Sequence, residues 1–188
     1  TFFEVVIANG YDKKSLKLLK KKKNLRIIDA SKVKKDFETN FSSKFDSILT
    51  QSPDNINFFV NNFKIVSKRK PNKETLNKLI FAFNVCRNVK SNAVVITNNY
   101  KTIGIGSGQS SRIDSCKIAI SKMKKFQKIN DVDELLAASD AFFPFVDGIE
   151  LLVQAGISAV IQPSGSKNDK EVIKFANQKN KILVFSKT

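Results

Sequence analysis

Histidine is absent from this chain of 188 residues. With it goes the side chain whose unperturbed pKa best suits proton transfer near neutrality, so any His-based chemistry has to be completed by residues outside the chain. Cysteine is nearly absent as well. Cys86 and Cys116 form no C-x-x-C pair and lie within helix-like apolar patterns, which predicts buried thiols rather than a disulfide or a zinc site. No apolar run reaches the roughly 18 residues of a membrane span. The opening TFFEVVIANG lacks a basic n-region and a small-residue cleavage site, so it does not read as a signal peptide. A cytoplasmic protein is the expectation. No internal repeat of about 20 to 50 residues is visible.

Acidic residues are short too: 17 Asp plus Glu face 33 Lys plus Arg, for a formal net charge of +16. The lysines scatter over candidate helix faces, as in KKSLKLLKKKKN (13–24). Arginine is scarce, and base-stacking aromatics do not alternate with the cations as they do in single-strand binders. The charge reads first as a solvated lysine face, second as attraction of small anionic substrates and last as a basic nucleic-acid-binding domain, and by itself it decides nothing between them. What the chain does have is 41% hydrophobic residues. That is enough for one generous domain, or one domain plus part of another.

FEVVIA (3–8) predicts a buried strand. Asp12 caps a lysine-rich helix over about 13–22 with Leu16, Leu18 and Leu19 inward, and LRIID (25–29) returns as a strand. Residues 31–61 are polar and weakly patterned, the expected boundary or surface excursion. FKIVS (63–67) is a strand, and Pro71 and Asn72 start a helix over about 73–89. Its apolar stripe (Leu76, Leu79, Ile80, Phe83, Cys86) is widened by Phe81, Ala82 and Val85, which predicts burial on more than one side. NAVVIT (92–97) and KTIGIG (101–106) flank a short turn, a hairpin pattern. A helix follows from about Gln109 or Ser110, then a small-residue strand in ELLAASDA (134–141). Another helix follows Asp147, which with Glu150 makes a D-x-x-E capping box and ends at Gly156. A strand in ISAVIQ (157–162), a helix from Asp169 and a strand in KILVF (181–185) complete the chain. This alternation predicts an α/β fold whose mixed, mostly parallel sheet is covered on both faces, with ligands held beyond the carboxyl ends of the strands.

Three loops at those ends carry the candidate chemistry. In GIGSGQSSRID (104–114) three alternate glycines allow a tight turn or a close approach to a ligand, ahead of the free N–H groups of a helix start. The spacing is neither a dinucleotide fingerprint nor a P-loop. Arg112 is disfavoured at a helix N-terminus, so it serves either an anion or an aspartate such as Asp114. In SDAFFPFVDGIE (139–150) the phenylalanines are core residues by default, Pro144 holds the segment extended, and capping alone explains Asp147. QPSGSKND (162–169) is a turn before a helix, a plain loop or a seat for a carboxylate or an amide.

Taken together, SNA (91–93), GIGSGQSSRID, SDAFFPFVDGIE and AVIQPSGS (159–166) resemble the transformylase part of the AICAR transformylase/IMP cyclohydrolase family, as do FFEVVIA and KRKPNKETL (68–76). The likeness runs in order along nearly the whole chain and is weakest over 31–61, where a glycine pair is expected and FSSKFDSIL stands. The resemblance implies a three-layer α-β-α, cytidine-deaminase-like unit over residues 63–188, with residues 1–62 as the end of a preceding unit. A zinc deaminase carries H-x-E and P-C-x-x-C at these places. Here GQSSRID and FFPFVDG stand instead, which excludes hydrolytic zinc deamination. The implied reaction is transfer of a formyl group from 10-formyltetrahydrofolate to the 5-amino group of AICAR, in purine (IMP) biosynthesis. Asn92 matches the family's substrate asparagine, with a catalytic role, and Arg112 its AICAR-binding arginine. Ile113, Phe142, Pro144, Asp147, Ser166 and Lys167 fall on its folate-binding positions. A pterin is flat and amide-like, so it wants apolar walls and a carboxylate acceptor. The resemblance further implies a homodimer with shared active sites, no zinc, and neither a nucleic-acid nor a membrane partner. A monovalent cation is left open. The family's catalytic Lys-His pair, its closing Arg-x-Phe-x-His segment and its IMP cyclohydrolase domain have no counterpart here, so the chain is expected to be an incomplete piece of the enzyme.

Overall fold

The computed structural model describes residues 3–33, 40–52, 62–126 and 134–186, which fall in two units, Thr1–Ile56 and Asn57–Thr188. In the first, β1 (Val5–Ala8) and β2 (Arg26–Asp29) pair in parallel across α1 (Lys13–Leu19). The predicted cap is present: Asp12 Oδ1 accepts from the N–H groups of Lys14 and Ser15 at 2.8 and 2.9 Å. The predicted burial is not. No residue of β1 or α1 is buried, and Leu18, expected to face inward, is exposed. Two strands and a seven-residue helix supply too little surface to cover both faces of a sheet. Within the weakly patterned stretch, β3 (Asn40–Lys44) and β4 (Ser47–Gln51) form an antiparallel hairpin that turns at Phe45, φ 56°. The rest of 34–61 lies outside the described residues.

The second unit is built on a six-stranded sheet. Its elements in chain order are β5 (Phe63–Ile65), α2 (Lys73–Cys86), β6 (Val94–Asn98), β7 (Lys101–Gly106), α3 (Arg112–Phe126), β8 (Leu135–Ser139), α4 (Val146–Gln154), β9 (Ala159–Pro163), α5 (Asp169–Gln178) and β10 (Ile182–Ser186). The spatial order is β5-β10-β9-β8-β6-β7. β8, β9 and β10 are mutually parallel, and β7 runs with them because β6 is antiparallel to both β7 and β8. β5 is the other reversed strand. The mixed sheet with helices on both faces is therefore as expected from the alternation.

Strand alternation divides the core in two. Val94, Ile96, Leu135, Ala137, Val160 and Leu183 pack on one face with residues of α3, α4 and α5. Val95, Leu136, Ala138, Ile161 and Val184 pack on the other with Leu79, Ala82, Phe83 and Cys86 of α2. Burying a side chain such as Leu79 contributes about 1.5–3 kcal/mol. α2 starts as predicted, with Asn72 Oδ1 accepting the Thr75 N–H at 2.7 Å. It buries one stripe rather than several sides, and Phe81 lies edge-on to Tyr100 at its margin. The hairpin turn between β6 and β7 falls at Asn99, φ 53°. α4 ends in Gly156, φ 95°, with the Ile157 N–H on Leu152 O, the expected C-terminal motif.

Candidate functional site

Because β7, β8 and β9 point the same way, the loops that follow them and the N-termini of α3, α4 and α5 share one edge of the sheet. The loop before the reversed strand β6 opens onto the same edge, which brings Asn92 between the ends of β7 and β8. α3 lies close against β7 because Gly104 and Gly106 have no side chains: a Cβ on either would meet Ala119 O at 2.2 Å or Ser115 O at 2.0 Å. Two of the three glycines thus serve helix packing, and Gly108, φ 66°, makes the turn. α3 starts at Arg112, with Ser111 as a cap. Ser111 Oγ accepts the Asp114 N–H at 3.2 Å and donates to Asp114 Oδ2 at 2.6 Å.

Arg112 therefore faces away from Asp114, and its partner is an aspartate the sequence reading did not single out. Nη1 donates to Asp140 Oδ1 and, at 3.0 Å, to Ser139 Oγ, while Nη2 donates to Asn92 Oδ1 at 2.8 Å. The two charged side chains are 11% and 13% exposed. Asp140 also accepts from the Ser91 hydroxyl and from the Ala93 N–H. Burial pushes the Asp140 carboxyl up. The Ser91 and Ala93 hydrogen bonds and the Arg112 guanidinium outweigh it and hold the pKa below the ordinary value. Asn92 is fixed in side chain and backbone, since its Nδ2 donates to Gln109 O at 2.8 Å and its backbone carbonyl oxygen accepts from Ser115 Oγ at 2.8 Å. A guanidinium has five N–H donors. Three are used here, leaving Nε–H and one Nη2 hydrogen directed elsewhere.

The other predicted residues sit on α3 and on the two loops after β8 and β9. Ile113, half-buried, follows Arg112 in the first turn of α3. Of the three phenylalanines expected in the core, only Phe143 is there, at 1% exposure. Phe142 and Phe145 are 38% and 63% exposed. Phe143 packs over Gly148, where a Cβ would meet its ring at 2.7 Å, and that contact turns its neighbours outward. The loops are tied together: Asn168 Nδ2 donates to Pro144 O at 2.6 Å, and the Phe142 ring lies 3.9 Å from where a Gly165 Cβ would stand. Ser166 Oγ accepts the Asn168 N–H at 3.1 Å, and Lys167 is exposed. The expected capping box is absent. α4 starts two residues earlier, its N-cap is Phe145 with no side-chain cap, and the exposed Asp147 accepts the next N–H, that of Gly148, at 2.7 Å.

Cys86 and Cys116 are buried and free, and burial pushes both thiols up to about 12. Among the described residues no three His, Cys, Asp or Glu side chains gather where they could hold a metal ion, and no helix is long and apolar enough to cross a membrane. The edge as a whole offers a fixed carboxamide, a partly committed guanidinium, an exposed carboxylate and apolar walls. That set suits orientation of a polar, flat or anionic ligand.

The family model described as AICARFT/IMPCHase bienzyme matches residues 1–122. The bifunctional purine biosynthesis protein PurH of Buchnera aphidicola subsp. Schizaphis graminum is 43% identical over 187 residues, covering 99% of this chain and 35% of that protein. PurH of Aquifex aeolicus is 43% identical over 185 residues (98% and 35%). PurH of Streptococcus equi subsp. equi is 40% identical over 189 (98% and 36%). The chain thus spans about a third of the length of the curated relatives it matches.

Proposed function

This chain belongs to the AICARFT/IMPCHase bienzyme family, and on that premise we propose that it contributes the substrate-orienting part of a site that transfers a formyl group from 10-formyltetrahydrofolate to the 5-amino group of AICAR, in purine biosynthesis. The observation that carries the reading is the closed set Asn92, Arg112 and Asp140 at the helix-start edge. Asn92 is held by Arg112 and by Gln109 O before any ligand arrives, leaving one amide hydrogen for the carboxamide or the formyl group. Arg112 keeps two donors for a phosphorylated anion. Orientation of this kind is preorganisation: the donors need not reorganise as charge develops on the formyl oxygen.

On the same reading, Phe142 and Pro144 wall a pterin, Asp147 accepts from its amino and ring N–H groups, and Ile113, Ser166 and Lys167 border it. The base that takes the amine proton comes from outside this chain, which has no histidine. We read residues 63–188 as a cytidine-deaminase-like unit, a reading supported by the order from α2 to β10 and by the reversed strand β6. A homodimer with shared sites completes the proposal.

The test uses the complete gene product that contains this chain, with calorimetric titration of AICAR and tetrahydrofolate and a formyl-transfer assay with 10-formyltetrahydrofolate. Both ligands binding, with transfer lost on Asn92→Ala, is the expected result. Binding of neither ligand would overturn the proposal, and so would affinity for nucleic acid that falls steeply with salt in place of folate binding.

A further inference from the structure

Gln162 stands at the carboxyl end of β9 and is fully buried. Its side-chain carbonyl oxygen Oε1 has no hydrogen-bond partner, and its amide nitrogen makes one long bond, 3.4 Å to Pro163 O. Buried amide oxygens are nearly always paired, so an orphan of this kind calls for a reason.

Its position supplies one. β8 and β9 pair as far as Ala138 with Ile161, so Gln162 comes one step on, beside Ser139. Side chains two apart share a face. Gln162 therefore lies on the face of Val160, and Ser139 on that of Ala137, both in the core beneath α3, α4 and α5. Ser139 is the hydroxyl that accepts from Arg112. Gln162 thus occupies the same cross-strand row as the Arg112 network, at the ends of β8 and β9 from which their loops depart. Those loops approach each other at Phe142, whose ring lies 3.9 Å from where a Gly165 Cβ would stand, and are joined by the bond from Asn168 Nδ2 to Pro144 O. The Phe142 ring is itself half-exposed.

We propose that Gln162 is a specificity residue of this site, whose Oε1 accepts a hydrogen bond from an N–H or amino group of a flat heterocyclic ligand that enters between the β8 and β9 loops as Phe142 moves off Gly165. The inference rests on the folate reading above and deepens it: the ligand edge that reaches between the β8 and β9 loops carries a donor. An acceptor-only edge would leave two oxygens facing each other and would be rejected, because an unpaired buried polar group discriminates more strongly than a missing methylene.

The experiment compares wild type with Gln162→Met in the complete gene product, reading the melting temperature and the Kd for tetrahydrofolate and for AICAR. Methionine keeps the volume and removes the orphan oxygen. The expected result is an unchanged or higher melting temperature, a Kd for tetrahydrofolate weakened about tenfold, as for one lost hydrogen bond, and an unchanged Kd for AICAR. If wild type binds both ligands and Gln162→Met binds tetrahydrofolate within about twofold of it, the assignment of Gln162 is overturned and the folate reading stands. If wild type binds neither ligand, the folate reading fails and the role of Gln162 falls with it. Should Gln162→Met not fold, the side-chain carbonyl signal of 13C-labelled glutamine in the wild type decides. A downfield shift with saturating tetrahydrofolate and none with AICAR supports the role, and no shift with either overturns it.

Discussion

Arg112 Nη1 and Asp140 Oδ1 form an ion pair that joins the first turn of α3 to the end of β8, with both side chains nearly buried. Removing one partner of such a pair strands the other charge, at a cost of about 3–5 kcal/mol. Asp140→Ala is therefore expected to lower the unfolding free energy by that order in urea titrations. It should weaken AICAR binding as well, because Arg112 also orients Asn92. A loss under about 1 kcal/mol would mean that Ser139 and Asn92 hold the guanidinium without the charge.

The same aspartate sets an acid limb. Its folded pKa lies below the ordinary value, so its contribution is fully present above the unfolded pKa of about 3.9 and is lost as pH falls through the folded value. Urea unfolding between about pH 6 and pH 2.5 should show stability falling below about pH 4. Asp140→Asn should flatten part of that fall while changing little between about pH 5 and pH 7. An unchanged acid limb in the variant would assign it to other carboxylates.

Gly106 and Gly104 hold α3, and therefore Arg112, against β7. The atoms a Cβ would strike belong to the α3 backbone and cannot rotate aside. Gly106→Ala is expected to cost about 1–3 kcal/mol by overpacking and to weaken AICAR binding by displacing Arg112. Gly108→Ala, at φ 66° with only Lys90 side-chain atoms nearby, should cost about 1–2 kcal/mol from the left-handed backbone and leave α3 in place. Equal AICAR affinities in the two variants would refute the packing role. Urea titration and calorimetry read both.

The second unit was legible in the sequence because its strands are short apolar runs separated by capped, periodic helices, and alternation of that kind leaves few topologies. The site was legible only in outline. Local pattern identified Arg112 as an oddity at a helix start, but its partner lies 28 positions away in sequence, beyond any local rule. A Ser-Asp pair ending a small-residue strand, Ser139 and Asp140, was the available signal. The phenylalanines misled because residue type predicts burial on average, while Phe143 takes the one buried place, over Gly148, and leaves Phe142 and Phe145 outside. β1 misled for a related reason: an apolar strand is buried only when something covers it, and a two-stranded sheet does not cover itself. The β3–β4 hairpin was missed because neither NFSSK nor SILTQ alternates apolar with polar residues, so no period-2 pattern marks it.

Asp147 separates structural from binding roles most cleanly. It does not cap α4, whose N-cap is Phe145. Its carboxylate is exposed and, among the described residues, accepts only the adjacent Gly148 N–H. Its remaining structural contribution is the attraction of a negative charge to the positive helix end, about 0.3–1 kcal/mol. Asparagine keeps an acceptor oxygen for Gly148 and removes the charge, so Asp147→Asn should change the unfolding free energy by no more than that amount. A pterin edge presents paired donors, and the asparagine side chain replaces one acceptor with a donor facing them. Tetrahydrofolate affinity is therefore expected to fall by about tenfold or more, as for a lost charge-assisted hydrogen bond of about 1.5–3 kcal/mol, with AICAR affinity unchanged. Calorimetry on the complete gene product reads both constants. Equal tetrahydrofolate affinity in the variant would return Asp147 to a purely electrostatic part in the first turn of α4.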